Sequence, residues 1–450
     1  MYLAESRRGT ETAAPAPGTR PGRRAAVPGT VLALGAVSLV TDVSSEMVSA
    51  VLPLYVVAGL GLSPLGFGLL DGINNGVGAL VRLLGGHLAD RGGRGGGHKT
   101  VAAVGYGLSA LCKPLLLLAH SLPLIGAVLA VDRTGKGLRT APRDAMIALA
   151  TEPRHRGRAF GVHRAMDTTG ALLGPLAAFA ILRATVDGYD AVFAVSGCVA
   201  VFGVLVLVLF VPSRASGDAA AAPAPAARPA LRDSLALLAR PTLRRLTLCA
   251  ALLGLTTVSD AFLYLLLQRE LALPAHLFPL LPLGTAAVFL VLALPMGVLA
   301  DRIGRRRLFL AGHAALLAGY ALVLLPPSGG AVPTAVLVVL LHGTFYATTD
   351  GVLAAATAGA VPPEQLGAGQ ALVGTGQALA RFACSLAFGA AWSAWGGRTA
   401  LEAAAAGLAV SAVAVTLLLR SADRAGADTG TDAGADADPS TEPRSPDPVA

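Results

Sequence analysis

Residues 131–145 read VDRTGKGLRTAPRDA and set Asp132, Arg133, Lys136, Arg139, Arg143 and Asp144 between the apolar runs LPLIGAVLAV and MIALA. Side chains of these types move protons, exchange partners or hold anions. Inside a bilayer each is costly unless it is paired or faces water. At 100° per residue Asp132, Lys136, Arg139 and Arg143 share one helical stripe, with Arg133 and Asp144 on an adjacent face. Acids wait in neighbouring apolar runs: Asp42 and Glu46 one turn apart, then Asp71 and Asp167. A carboxylate beside a guanidinium stays ionised, whereas desolvation or loss of that partner favours the neutral form. Asp42 or Glu46 moving between two such settings would carry a proton, and Glu46 lies nearer mid-span. The competing explanation is that all these charges pair off and lock a helix bundle.

Other polar residues in apolar runs are fewer. His163 and Asp167 share a stripe with Gly170 and Gly174, and glycines four apart mark close helix packing. His163 and Asp167 therefore suit either an interface or a cavity, and His163 is suited to titrate near neutral pH. Towards the C-terminus the ionisable set is Asp260, His342, Asp350 and Arg381. Tyr346 follows His342 by four, and Gln370, Gln377 and Arg381 fall on one stripe. Amides and aromatics orient ligands in cavities, and glutamines also hydrogen-bond between helices. Cys112, Cys198, Cys249 and Cys384 each stand alone, which predicts packing residues with no metal site and no disulfide.

The elements that must carry these residues are apolar helices. Of 450 residues 54% are hydrophobic and 14% charged, with mean hydropathy +0.65; a soluble domain carries about 25% charged residues. Runs of roughly 20 apolar residues recur without the alternation of a β-barrel, so the class is an all-α polytopic membrane protein. Twelve spans are predicted at 31–57, 65–89, 99–119, 122–149, 159–183 and 190–211, then 244–268, 276–300, 306–326, 332–359, 366–395 and 399–420. They divide the chain into an N-terminal tail (1–29), a six-helix bundle (30–211), a cytoplasmic linker (212–243), a second six-helix bundle (244–420) and an acidic C-terminal tail (421–450). Both tails and the linker are expected to be disordered. With both termini cytoplasmic, 24 of the 35 Lys and Arg lie in or beside cytoplasmic segments and only Arg183, Arg269 and Arg398 outside. The net charge of +8 thus describes topology in the inner membrane and not nucleic-acid binding. No cleaved signal peptide is expected, because the first apolar run follows a long Pro/Ala/Arg tail.

The halves repeat a motif. GGHLADRGGR ends at Arg94 and MGVLADRIGRRR at Arg307, so Gly86-x-x-x-Asp90-Arg91 matches Gly297-x-x-x-Asp301-Arg302. Each copy closes the second span of its half. Repeated halves build alternating-access transporters with a substrate site near the midplane.

Six plus six spans with G-x-x-x-D-R-x-G-R after spans 2 and 8 resemble the major facilitator superfamily. Arg133-x-x-Lys136-Gly137 is similar to its R-x-x-Q-G pattern with Lys for Gln, and Gly161…Gly170-x-x-x-Gly174-Pro175 to the glycine–proline motif of its antiporters. Ala178 and Phe179 stand where that motif continues with two glycines. TDVSSEM, DRTGKGLRTAPRDA and FGVHRAMDTTGALLGP resemble a bacterial permease subgroup. The resemblance implies a twelve-helix fold, with Arg133 and a span-1 carboxylate in proton coupling and Asp90, Arg91, Asp301 and Arg302 bracing a cytoplasmic gate. It also implies a helix-packing role for Gly170, Gly174 and Pro175.

The expected function is secondary transport of a small organic solute, proton-coupled and outward. The coupling candidates are Asp42, Glu46, Arg133 and Asp167; the cavity candidates are Lys136, Arg139, His163, Asp260, His342, Tyr346, Asp350, Gln377 and Arg381. An importer or exchanger of an anionic solute is the alternative, because Lys136, Arg139 and Arg143 face one way and guanidinium groups suit carboxylates and phosphates. No nucleophile elbow, metal cluster or phosphate loop is present in the sequence, so neither enzyme activity nor a cofactor is expected. The expected partners are the solute, protons and lipid, around a monomer.

Overall fold

With no water in the hydrocarbon layer, a spanning segment must satisfy its backbone internally, and apolar runs of this length do so as helices. The computed structural model describes residues 27–77, 98–212, 236–326, 329–362 and 365–432. The first half comprises α1 (Gly29–Leu54), α2 (64–77), α3 (His98–Leu115), α4 (Leu122–Leu149), α5 (Arg156–Ala184) and α6 (Tyr189–Phe210). The second comprises α7 (Pro241–Gly254), α8 (Asp260–Glu270), α9 (Leu280–Ile303), α10 (Arg305–Leu324), α11 (Ala331–Ala360), α12 (Leu366–Trp395) and α13 (Gly397–Asp432). Among the described residues nine helices are long and apolar enough to cross a membrane. Span 65–89 leaves the described residues after 77, and α4 carries its charges on one unbroken helix through 122–149.

Two boundaries differ from the sequence reading. The single span predicted at 244–268 is two helices, α7 and α8, joined by non-helical residues 255–259. Backbone groups freed by such a break need partners at membrane depth, and other helices supply them. Val258 N donates to Tyr320 Oη at 2.9 Å, and Cys384 Sγ donates to the Thr257 carbonyl at 3.3 Å. The second difference is α13, which runs to Asp432 and makes helical the first part of a tail expected to be unstructured.

Packing within each half rests on small residues. α5 lies along α1 because Gly170 and Gly174 leave no room for a Cβ: one would meet the Leu39 carbonyl, the other Glu46 Cβ and the Val43 carbonyl. The glycine–proline motif thus sets the distance between α5 and the carboxylates of α1. Gly105 and Gly135 bring α3 onto α4 in the same way. The halves meet through α2 and α12, where Gly68 abuts the Ser385 carbonyl and Leu65 N donates to Ser393 Oγ at 3.0 Å. Phe67 packs edge-on to Phe262, and Phe179 approaches His276 across the same end. At the opposite end Asp301, Arg302 and Ile303 are exposed.

Candidate transport site

The bases of the α4 stripe find acids on α1 and α5, and its Asp132 finds a base on α3. Lys113 Nζ from α3 reaches Asp132 Oδ1 at 3.0 Å with both side chains buried, and Arg133 Nη2 lies 3.9 Å from Asp132 Oδ2. Arg139 Nη2 is 3.6 Å and Lys136 Nζ 4.0 Å from Asp42 Oδ1, and Lys136 is also 4.0 Å from Glu46 Oε1. The Arg139 guanidinium sits 4.4 Å above the Tyr106 ring, a cation–π contact that fixes its plane. Arg143 bonds Asp144 at 3.0 Å and lies 3.7 Å from Asp167, which Arg164 also approaches at 3.5 Å. The Asp42 and Asp167 carboxyls face each other within hydrogen-bonding range.

Asp42, Glu46 and Asp167 are therefore brought together with Lys136, Arg139 and Arg143. Arg133 is set apart from them, beside its chain neighbour Asp132. His163 is buried near Asp167 and Arg143, with no hydrogen-bond partner for either ring nitrogen among the described residues. Lys113 escaped the sequence reading although it is the one Lys or Arg between Lys99 and Arg133. The rule that singled out α4 applies to it equally.

The second half builds one cluster around the break in span 7. Unwinding at 255–259 makes Asp260 the first residue of α8, where free N–H groups favour a negative charge. Tyr346 Oη donates to Asp260 Oδ1 at 2.7 Å, and His342 Nε2 lies 3.0 Å from the same oxygen. Arg381 approaches Tyr346 and Asp260 from α12. Asp350 is exposed, and with Gln377 and Arg381 it lines a cavity of about 20 Å³, room for a water.

Between the halves lies a cavity of about 240 Å³ whose wall includes Asp71, Asn75, Asp260, Tyr264, Tyr346 and Arg381. A second of about 90 Å³ is lined by Lys113, Asp132 and Arg133, and Asp71 and Asn74 line both. Lys136, Arg139 and His163 line neither of these cavities. The volume suits a small solute better than a drug-sized one, for which pockets begin near 300 Å³. Of the rim motif, Gly86, Asp90 and Arg91 lie outside the described residues. Asp301 pairs with Arg305 at 3.6 Å beside Gly304, whose φ of +95° turns the chain from α9 into α10.

Comparisons agree with this architecture. The model of the Major Facilitator Superfamily matches residues 34–290 and 246–446. An uncharacterized MFS-type transporter of Methanocaldococcus jannaschii is 29% identical over 63% of this chain and 69% of its own. An uncharacterized protein of Mycobacterium tuberculosis is 34% identical over 35% of this chain and 38% of its own length. Among solved structures, the nucleoside transporter NupG superposes with TM-score 0.72 at 14% identity, over 87% of this chain and 99% of that one. A bacterial homolog of the human lysosomal transporter Spinster, inward-facing and occupied, gives 0.69 at 16% identity over 90% and 98%. Identities this low speak for the fold alone.

Proposed function

This chain belongs to the Major Facilitator Superfamily, whose fold and family support membrane transport, and we propose that it is a proton-coupled exporter of a small organic solute. The observation that carries the reading is Asp42, shared by Arg139 and Lys136 on α4 and facing Asp167 on α5. Two carboxylates at that separation are held by cations or share a proton. When α1 and α4 separate in an alternating movement, Asp42 leaves its cations and a proton takes their place; when they rejoin, the proton departs. Glu46 extends the same device through Lys136. In this reading Arg133 borders the cargo space and leaves coupling to Arg139.

The cargo occupies the cavity between the halves, held by Asp260, Tyr346 and Arg381, with both termini and the 213–232 linker cytoplasmic. Anion exchange is disfavoured because Lys136, Arg139 and Arg143 already meet carboxylates. Uptake into proteoliposomes under an imposed pH gradient, screened over amines, neutral solutes and organic anions, tests the reading. Asp42→Asn and Arg139→Gln should abolish gradient-driven accumulation while counterflow of the same solute persists. Normal accumulation by both variants would defeat proton coupling at this site. A cysteine placed at Ser216 should resist an impermeant thiol reagent added to intact cells; ready labelling reverses the orientation.

A further inference from the structure

Three carboxylates are buried among the described residues: Asp42, Asp71 and Asp132. Asp42 and Asp132 each meet cations within 4.0 Å. Asp71 makes no ion pair among the described residues, although an unpaired charge at membrane depth is the expensive case. Its Oδ2 instead accepts from Ser385 Oγ at 2.6 Å, a hydrogen bond between the two halves. With Asp71 ionised, a bond of this kind is about twice as strong as its neutral counterpart.

The bond lies within the seam that joins α2 to α12. Gly68 lies against the Ser385 carbonyl, Gly72 against the Phe382 ring, and Gly389 against the Pro64 carbonyl and the Gly68 Cα. Gly68 and Gly389 let the two backbones touch, and the Phe382 ring fills the space beside Gly72. Asp71 also lines both central cavities, so solvent and solute reach its neighbourhood. The charged groups on those walls have partners of their own, while Asp260 and Arg381 also face Asp71, and Ser259 bonds to it as well. Asp132 is with Lys113 and Arg133; Asp260 is with His342 and Tyr346; Arg381 is with Tyr346.

We propose that Asp71 is a proton-binding site of the central cavity and that protonating it unlatches the α2–α12 seam. In the closed seam Asp71 is ionised and Ser385 donates to it. A proton arriving from the cavity cancels the charge, the Ser385 bond falls to neutral strength, and the two halves separate at that end. Asp71 thereby ties proton occupancy to which end of the molecule is closed. The proposal rests on the alternating-access reading above and is independent of the Asp42 network.

Two measurements on the full chain in lipid need no cargo. Infrared difference spectra between acid and alkaline pH should contain a protonated-carboxyl band that Asp71→Asn removes and Asp42→Asn retains. Spin labels at Ser63 and Trp395, in a background without cysteine, report the seam by their separation. In the parent protein the ratio of open to closed seam should rise about tenfold on acidification, the difference between a charged and a neutral hydrogen bond. Asp71→Asn should abolish that response and Asp42→Asn preserve it. Ser385→Ala should open the seam at alkaline pH while keeping the carboxyl band, a check should Asp71→Asn fold poorly. An undiminished pH response in Asp71→Asn, or spectra identical to the parent's, overturns the proposal. Loss of coupling in Asp42→Asn with an unchanged seam response would separate the two sites; a pH-responsive seam with normal coupling in Asp42→Asn would leave Asp71 standing alone.

Discussion

The two halves are both bundles of helices among the described residues, and they differ in what they bury. In the first, α1, α3, α4 and α5 contribute alternating acids and bases that meet in a chain of ion pairs from Lys113–Asp132 to Arg143–Asp167. In the second, a single carboxylate at a helix break gathers a histidine, a tyrosine and an arginine. The difference separates two tasks that one fold must perform. A network of paired charges responds to displacement, since sliding one helix changes every pairing along it. A compact hydrogen-bonded cluster beside a cavity responds to what occupies the cavity.

The sharpest test of that division is the pair least able to serve both tasks. Lys113 and Asp132 are buried at 3.0 Å, and removing Lys113 leaves Asp132 only the longer, 3.9 Å approach of Arg133. Lys113→Met should cost about 3–5 kcal/mol of stability, read as a drop in thermal unfolding temperature in detergent. Adding Asp132→Asn should recover most of that loss. Unchanged stability in Lys113→Met would remove the ion-pair chain as the frame of the first half.

Smaller in energy and opposite in kind is Asp260→Asn. Asparagine keeps the shape and loses the charge that His342 and Tyr346 share, so stability should change little. Equilibrium binding of a transported solute should weaken about 10- to 100-fold, the worth of about 1.5–3 kcal/mol for hydrogen bonds to a charged group. Gradient-driven transport at saturating solute should survive. If Asp260→Asn instead uncouples transport with affinity intact, the tasks are not divided as the halves suggest.

Most of this architecture was legible in the chain. Apolar run length pointed to the all-helical membrane fold, and the spacing of charges in α4 marked the stripe whose bases meet acids on α1 and α5. Three things were not legible, for physical reasons. The break in span 7 contains LTTVS, residues that hydropathy accepts as helix; what unwinds them is satisfied from outside, by Tyr320 and Cys384. Arg139 rather than Arg133 meets Asp42 because side-chain direction along α4, beyond stripe membership, decides which base reaches α1. The Asp71–Ser385 bond joins residues 314 apart, a distance no local pattern spans.

The smallest expected effect on stability is at the rim, where the halves are alike in sequence. Asp301 and Arg305 form an exposed pair across the Gly304 turn at 3.6 Å, and such pairs contribute at most about 1 kcal/mol. Asp301→Asn should therefore fold normally and, lying far along α9 from the cavity residues, bind solute within about twofold of the parent. Its effect should fall on turnover, because Asp301 precedes the Gly304 turn that links α9 to α10, and an ion pair that reforms there biases which end of the bundle closes. Initial rates and equilibrium binding measured on the same preparation separate these outcomes. Loss of binding in a well-folded Asp301→Asn would show that the rim motif shapes the cavity, and the gate assignment would be wrong. Asp90→Asn, at the matching position of the first repeat, should reproduce the Asp301→Asn phenotype. Equal slowing by both would mean that halves with different cores are moved by one rim device used twice; an effect confined to one would give the gate to a single half.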